Sequence, residues 1–323
     1  MNIPENSSVC FIGDSITAAE KYVRILVDFF VLHFPEKKIR FHNISIPGAS
    51  IPLLLQNWDT LVPLRKPTHA TVLFGMNDLH RVLYADSVHI TEEVLEKREA
   101  AFSAYTDNMR ALLHRLGDAS TLIMTPTLHD ESPAIDAPVY GGYDAALQRA
   151  GEFLKNTFSP VLDLHTPLEI ANSRRLVPTV IGPDRVHPGN IGHAIIAKAI
   201  LEKLGFENPR LPLWDNSITD TERTALGNMG ILEDKSPKSP YSDTRSRTAR
   251  RLIDFWYVEM NVLGGQGIDK NDTEKADAFL KSQLSQPIEE WRIKCYTDYM
   301  ENRHTLSERI RAAEEAMENM YRA

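Results

Sequence analysis

The chain has 323 residues, 42% hydrophobic and 25% charged, a composition that allows a packed core and argues against wholesale disorder. Its formal net charge of −8 argues against a polyanionic partner such as nucleic acid, which requires a basic face. The length predicts one large domain, or a domain with an appendage.

The first residues contain neither the basic segment nor the apolar segment of a signal peptide. No apolar run is long enough to span a bilayer, so we expect a cytoplasmic protein without a membrane span. Cys10 and Cys295 lie at opposite ends of the chain and form neither a CxxC motif nor a disulfide framework.

Short apolar runs alternate with amphipathic helical patterns over the first two thirds of the chain. The predicted strands are residues 9–12, 39–46, 68–74, 120–125 and 161–165. The predicted helices are residues 19–34, 51–61, 91–116, 143–157 and 190–204. This alternation predicts a three-layer α/β/α domain with a parallel sheet. Right-handed crossovers between five strands fit the flavodoxin-like order 2-1-3-4-5.

The strand patterns end near Trp214, and the rest of the sequence is helical in character. Residues 219–226, 245–263 and 273–322 have helical periodicity, and Pro287 interrupts the last stretch. We therefore expect an α/β domain over residues 1–213 and an all-helical C-terminal extension over residues 214–323.

Two further features of the extension have ordinary structural interpretations. The run Gly264-Gly265-Gln266-Gly267 follows a helix and lacks the Lys-Ser/Thr ending of a phosphate loop, so it predicts a helix stop and linker. Five aromatic residues recur at helical spacing, which predicts packing in the core or against a second subunit of a homo-oligomer. They are Trp256, Tyr257, Trp291, Tyr296 and Tyr299.

Residues suited to catalysis follow three of the predicted strands. Ser15, Gly48 and Asn77 come after the first, second and third strands, and a later loop carries Asp184 and His187. Because the carboxyl ends of parallel strands lie on one edge of a sheet, the first three residues can converge there.

These are the residue types that acyl transfer requires. A serine hydroxyl is a poor nucleophile until a base takes its proton, and histidine is the base whose pKa suits neutral pH. A carboxylate on the other ring nitrogen fixes the tautomer of that base, a role that suits Asp184 beside His187. The backbone N–H groups of Ser15 and Gly48 and the amide of Asn77 are candidate donors to an oxyanion.

Simpler explanations exist for the same residues. Ser15 can be an ordinary helix cap, and the loop with Asp184 and His187 can be a surface turn before the next helix. Asp14 and Asp78 are expected to hold loops through hydrogen bonds to the backbone.

Four segments resemble the sequence blocks of the GDSL, or SGNH, hydrolase superfamily, in the family's order and over residues 9–204. They are Gly13-Asp14-Ser15-Ile16, Gly48 with Asn43 before it, Gly75-Met76-Asn77-Asp78 and Asp184-Arg185-Val186-His187-Pro188. The second block usually reads Asn-x-Gly-x-x-Gly, and Ser45 stands at its first glycine.

The resemblance implies an SGNH-hydrolase-like catalytic domain with a flavodoxin-like sheet. It implies Ser15 as the nucleophile, His187 as the base and Asp184 as its orienting carboxylate. It also implies an oxyanion hole formed by Ser15, Gly48 and Asn77. It does not cover the extension after Trp214.

The leading hypothesis is a serine esterase that removes short acyl groups, with acetyl as the first candidate, from a small carbohydrate or similar ester. The alternatives are a lysophospholipase or thioesterase, an acyltransferase, and an interaction protein on an esterase scaffold. We expect no cofactor and no metal, because the histidines lack the His-x-x-x-His spacing of metal sites. His193 is expected to be structural.

Overall fold

The computed structural model describes residues 3–86, 89–132, 137–173, 180–213, 218–236 and 240–322. A five-stranded parallel sheet has the order β2-β1-β3-β4-β5, which confirms the predicted topology. Its strands are β1 (Ser8–Gly13), β2 (Arg40–Ser45), β3 (His69–Leu73), β4 (Ser120–Met124) and β5 (Val161–Leu162). Helices flank the sheet, so the α/β class is also confirmed.

The helices of the α/β region follow the predicted alternation. They are α1 (Ser15–Ala18), α2 (Lys21–His33), α3 (Ile51–Gln56), α4 (Trp58–Leu61), α5 (Glu92–Leu116), α6 (Tyr143–Thr157), α7 (His165–Ser173) and α8 (Asn190–Lys203). Short 3-10 turns occur at Pro35–Lys37, Pro63–Arg65 and Arg81–Tyr84.

Two predicted helices are each divided in two. The helix expected over residues 19–34 begins at Lys21, because Glu20 has a left-handed backbone with φ of 64° and separates α2 from α1. The helix expected over residues 51–61 breaks at Asn57, which ends α3 and precedes α4. In both cases the apolar periodicity continues across the break, so the sequence pattern conceals it.

The fifth strand is shorter than expected. It ends at Leu162 instead of residue 165, and His165 begins the unpredicted helix α7. The carboxylate of Asp163 accepts a hydrogen bond from the N–H of Thr166 at 3.1 Å, as a helix-capping side chain does. This cap starts a helix within the apolar run, so the strand ends earlier than the run predicts.

The chain after residue 218 consists mainly of helices. These are α9 (Asp220–Asn228), α10 (Pro240–Trp256), a π-helical continuation of α10 (Tyr257–Leu263), α11 (Thr273–Leu284) and α12 (Glu290–Arg322). The interruption predicted at Pro287 falls between α11 and α12 and is confirmed. The glycine run contains a 3-10 turn, Gly264–Gln266, which ends at Gly267 with φ of 65°.

The extension is not entirely helical. A two-residue strand, β7 (Glu233–Asp234), pairs in parallel with β6 (Leu211–Pro212). The domain boundary predicted between residues 213 and 214 falls at the edge of a range outside the described residues. Among the residues that are described, no helix has both the length and the apolar character needed to cross a membrane.

The extension packs against the α/β region through apolar side chains and a buried ion pair. Leu252 and Trp256 belong to the hydrophobic cluster that also contains the sheet residues. The guanidinium of Arg245, a residue only 1% exposed, donates a hydrogen bond to Glu20 at 2.5 Å. Glu20 also accepts one from the amide of Asn43 at 2.6 Å. The opposite charges neutralise each other and fix α10 against the turn after α1.

The aromatic residues of the extension pack largely inside the chain. Trp256, Tyr257, Tyr296 and Tyr299 are all buried in the hydrophobic cluster. Trp291 is 38% exposed, and its ring lies 5.2 Å from that of Tyr257. Core packing is therefore observed, whereas the homo-oligomer stays a prediction.

Replacing Arg245 by methionine should lower the free energy of unfolding by about 3–5 kcal/mol, because the Glu20 carboxylate is left buried without its counter-charge. Urea denaturation measures this change. Arg247→Met is the matched control on the exposed face of α10, where we expect a change below about 0.5 kcal/mol. The double variant Arg245→Met with Glu20→Gln should regain part of the lost free energy of unfolding, because the unpaired carboxylate is then removed. An unchanged free energy of unfolding in the Arg245→Met protein would contradict a stabilising role of the Arg245–Glu20 ion pair.

Candidate active site

Ser15 lies at a sharp turn between β1 and α1. A Cβ atom on Gly13 would lie 2.3 Å from the hydroxyl of Thr17 and 2.9 Å from the carbonyl oxygen of Leu73. These distances leave no room for a side chain, so the turn requires glycine at this position. The close approach brings the next residues directly over the end of the sheet.

Asp14, and not Ser15, caps α1. The Asp14 carboxylate accepts a hydrogen bond from the N–H of Ile16 at 2.9 Å, and Ser15 is the first helical residue. The helix-cap explanation of Ser15 therefore does not hold, and the expectation that Asp14 bonds to the backbone is confirmed. Because the first N–H groups of a helix have no intrahelical partner, the Ser15 N–H remains available to a ligand.

The structure brings Ser15, His187 and Asp184 into one chain of hydrogen bonds. Ser15 Oγ lies 2.7 Å from Nε2 of His187, although 172 positions separate the residues. Nδ1 of the same imidazole bonds to Oδ2 of Asp184. The other carboxylate oxygen accepts hydrogen bonds from the N–H groups of Val186 at 3.1 Å and His187 at 3.0 Å. The carboxylate is therefore fixed by the loop that also carries the histidine.

The protonation states of His187 and Asp184 suit a histidine that acts as a general base. The hydrogen bond to Asp184 raises the pKa of His187 above its ordinary value, and burial opposes this shift. Burial disfavours the charged form of Asp184, but hydrogen bonds from His187 and the backbone outweigh it and hold the pKa of that carboxyl below its usual range. The ionised carboxylate accepts the Nδ1 proton, which leaves Nε2 to accept the proton of the serine hydroxyl.

A buried arginine anchors the loop that carries the aspartate and the histidine. Arg185 has a left-handed backbone with φ of 67°, and its side chain is 1% exposed. Its guanidinium donates to the carbonyl oxygens of Asp130 and Ser132, both at 2.7 Å. A backbone bridge between Ile181 and Pro188 closes the loop. The sequence does not predict this role of Arg185, which lies between the two motif residues Asp184 and His187, because the burial of a charged side chain leaves no local signal.

Gly48 and Asn77 lie on the same edge of the sheet, after β2 and β3. Gly48 has a left-handed backbone with φ of 76°. The amide of Asn77 donates a hydrogen bond to the carbonyl oxygen of Ala49 at 2.9 Å and lies 3.5 Å from a carboxylate oxygen of Asp14. Asn77 therefore joins the loop after β2 to the turn that carries Ser15.

The buried carboxylate of Asp78 connects two of these loops. One of its oxygens accepts from the N–H of Ile51 at 2.8 Å, and the other accepts from the N–H of Gly75 at 3.1 Å. These bonds confirm the predicted loop-holding role. Burial raises the pKa of Asp78 to about 7 against the effect of the two donors, and in the same way it raises the pKa of Asp14 to about 6.

The departure from the family pattern at Ser45 is accommodated by a hydrogen bond. The Ser45 hydroxyl bonds to the amide oxygen of Asn43. The amide nitrogen of Asn43 donates to the carbonyl oxygen of Thr17 at 2.9 Å, in addition to its bond with Glu20. The serine at this position therefore holds the amide oxygen of Asn43, whose nitrogen bonds to the turn before α2.

The C-terminal extension reaches the loop of Gly48. The π-helical segment carries Asn261, whose Nδ2 donates a hydrogen bond to the carbonyl oxygen of Pro47 at 2.7 Å. The same nitrogen lies 2.9 Å from the position that a Cβ on Gly48 would occupy. Sequence reasoning missed Asn261, since no local pattern connects residues 214 positions apart.

His193 is a structural residue, as predicted. Its ring is buried and stacks on Tyr22 with the ring centroids 6.0 Å apart. Burial lowers the pKa of His193 to about 3, so the ring is neutral near physiological pH. Within the part of the chain that the structure describes, no group of three or more His, Cys, Asp or Glu side chains is arranged to hold a metal ion.

Comparisons with known proteins agree with the α/β region of the chain. The model of the GDSL-like lipase/acylhydrolase family matches residues 11–195. An acetylxylan esterase from Geobacillus stearothermophilus is 25% identical over 225 residues, which are 64% of this chain and 98% of that protein. Its crystal structure matches over the same shares with a TM-score of 0.50 and 25% identity. Structures also exist of three catalytic mutants of that esterase, in which a serine, an aspartate or a histidine is replaced by alanine.

A second solved structure matches the extension as well. It is a gut microbial diltiazem-metabolizing enzyme, with a TM-score of 0.75 and 15% identity. The match covers 99% of this chain and 96% of that chain. The likeness therefore shows that the fold with its C-terminal helices occurs in another protein.

Replacing Asp184 by asparagine should lower the pKa of His187, because the carboxylate that stabilises the imidazolium is lost. In the wild type the ring should lose its charge as the pH rises through a value above 6.5, and in the variant at a lower pH. Nitrogen-15 NMR titration of the histidine rings measures both values. His193 is an internal control whose ring should stay neutral in both proteins. An unchanged pKa of His187 would contradict the observed hydrogen bond.

Proposed function

The chain belongs to the GDSL-like lipase/acylhydrolase family and is a carboxylic ester hydrolase, and from this premise we propose that it removes acetyl or other short acyl groups from esters of small carbohydrates. The hydrogen-bonded chain from Ser15 through His187 to Asp184 carries the proposal. The reaction proceeds through an acyl-enzyme on Ser15. The domain over residues 1–213 performs the chemistry.

Acylation begins with proton transfer from Ser15. As Oγ attacks the acyl carbonyl carbon, His187 Nε2 takes the hydroxyl proton, and Asp184 stabilises the imidazolium that forms. The 2.7 Å separation of Oγ and Nε2 supports this step, because a general base must lie within hydrogen-bond reach of its proton. His187 then gives the proton to the departing alcohol.

The tetrahedral intermediate carries an oxyanion that needs donors already in place. Ser15 and Gly48 supply backbone N–H groups, and Asn77 supplies its side-chain amide. The Asn77 amide nitrogen has two N–H groups, and one of them donates to the carbonyl oxygen of Ala49. The other makes a 3.5 Å contact with the Asp14 carboxylate, and the oxyanion takes the place of that contact. Deacylation repeats the sequence, with a water molecule activated by His187 in place of the serine.

The substrate class rests on the acetylxylan esterase, which is 25% identical over 225 residues. Its catalytic mutants involve the same three residue types that meet in this site. The shared residue types support the mechanism, and the activity of that relative favours an acetyl ester of a carbohydrate over a lipid-like substrate.

The Ser15→Ala variant should lose turnover of a short-chain nitrophenyl ester by at least about 10⁴-fold, because no other group can form the acyl-enzyme. Ser282→Ala is the matched control, since the Ser282 hydroxyl donates to the carbonyl oxygen of Phe279 within the extension, and this change should leave turnover unchanged. A fluorophosphonate probe should label wild-type Ser15 and fail to label the Ser15→Ala protein. Full activity of that variant would refute the mechanism. Absence of labelling in the wild type would favour an interaction protein on an esterase scaffold.

A series of nitrophenyl esters from acetyl to dodecanoyl tests the acyl group. We expect the highest kcat/KM for acetyl and a decline with each longer chain, because the relative that supports the proposal acts on acetylated xylan. An optimum at octanoyl or beyond would instead favour the lysophospholipase or thioesterase alternative. Added alcohol acceptors, with the transferred ester measured by chromatography, would reveal an acyltransferase.

A further inference from the structure

The peptide group between Pro47 and Gly48 is held by the C-terminal extension. Its carbonyl oxygen belongs to Pro47 and accepts the hydrogen bond from Asn261 at 2.7 Å. Its N–H belongs to Gly48, the proposed oxyanion donor. Asn261 therefore bonds to the other end of the rigid peptide group whose N–H is the proposed oxyanion donor.

Holding the carbonyl oxygen fixes the direction of the N–H. A peptide group is planar, and in the trans form its C=O and N–H point in opposite directions. Rotation of this plane is otherwise easy, because Gly48 has φ of 76° and a glycine readily exchanges backbone conformations. A hydrogen bond on the carbonyl also polarises the N–H and strengthens its donation to an oxyanion.

Asn261 is carried by a well-anchored element. It lies in the π-helical segment Tyr257–Leu263, in which Val258 and Leu263 are fully buried. Short π-helical segments within α-helices are frequent at functional sites. The segment continues α10, which the buried pair of Arg245 and Glu20 fixes against the α/β region. The amide of Asn261 is therefore presented from a rigid scaffold.

The fit between Asn261 and Gly48 is close. Nδ2 lies 2.9 Å from the position of a Cβ on Gly48, so any side chain there would displace the amide. The glycine is thus required both for its backbone conformation and for the approach of Asn261.

We propose that Asn261 is a positioning residue for the oxyanion hole, through which the C-terminal extension sets the Gly48 N–H for catalysis. The inference rests on the proposed function, since it takes Gly48 as an oxyanion donor. Asn261 acts through the Pro47–Gly48 peptide and does not itself react. The extension is accordingly part of the working enzyme.

Removing the amide donor should lower kcat and leave substrate binding nearly unchanged. Loss of a complete oxyanion donor costs about 10²-fold or more in kcat, and a loosened donor should cost less, about 10-fold. Asn261→Leu keeps the shape of the side chain without its donor, and Asn261→Ala removes both. We expect both variants to lose kcat on a nitrophenyl acetate substrate while KM stays within about twofold.

Two further variants separate positioning from packing. Asn261→Gln keeps an amide donor on a longer stem and should retain more activity than Asn261→Leu. Asn302→Ala is the matched control, because the Asn302 amide also donates to a backbone carbonyl, that of Asp298 at 3.1 Å, but within α12. It should leave kcat unchanged.

The rate of Ser15 labelling by a fluorophosphonate and the pH profile complete the test. Labelling should slow in parallel with kcat, since phosphonylation uses the same oxyanion donors. The pH midpoint of kcat/KM should stay at its wild-type value, whereas general loosening of the site would also disturb His187 and move that midpoint. Thermal unfolding identifies any variant that fails to fold. If Asn261→Ala is unfolded, the test rests on Asn261→Leu.

The two proposals fail in different ways. Wild-type kcat and labelling rate in folded Asn261→Leu or Asn261→Ala, together with an inactive Ser15→Ala protein, would overturn only the role of Asn261. A shifted pH midpoint with a matching loss in Asn261→Gln would likewise reduce Asn261 to a packing residue. Full activity of Ser15→Ala would overturn the proposed function, whatever the Asn261 variants do.

Discussion

The register of three parallel strands at Gly13 is the constraint on which the site depends. Gly13 pairs with Ser45 on β2 and with Leu73 on β3, so all three strands end at the same level. The loops that follow therefore start side by side, and Ser15, Gly48 and Asn77 lie within a few residues of those ends. A one-residue slip in a strand would send every following side chain to the opposite face.

The histidine reaches this edge by a different route. It arrives on a loop late in the chain, and that loop is shaped by its own bridge and by the buried side chain of Arg185. Burying a guanidinium is costly unless its donors are satisfied, and backbone carbonyl oxygens of the neighbouring loop satisfy them. Two loops thus depend on each other for the position of one imidazole.

The extension adds constraints on the loop after β2. Arg245 reaches Glu20 and, through it, Asn43, while Asn261 reaches Pro47. The segment between Asn43 and Gly48 is therefore tied to the extension at both of its ends. This arrangement links the stability of the helical packing to the geometry of the loop that carries Gly48.

The sequence alone determined the sheet order, most helices and the three residues Ser15, His187 and Asp184 that hydrogen bonds join in the folded chain. It could do so because strand alternation, caps such as Thr91 and the motifs around Ser15 and His187 are local patterns. Tertiary structure decided what depends on distant partners: the break at Glu20, the burial of Arg185, and the contacts of Arg245 and Asn261 with residues more than 200 positions away. A polar residue in a sequence is equally compatible with water and with a buried partner, and only the folded chain supplies that partner.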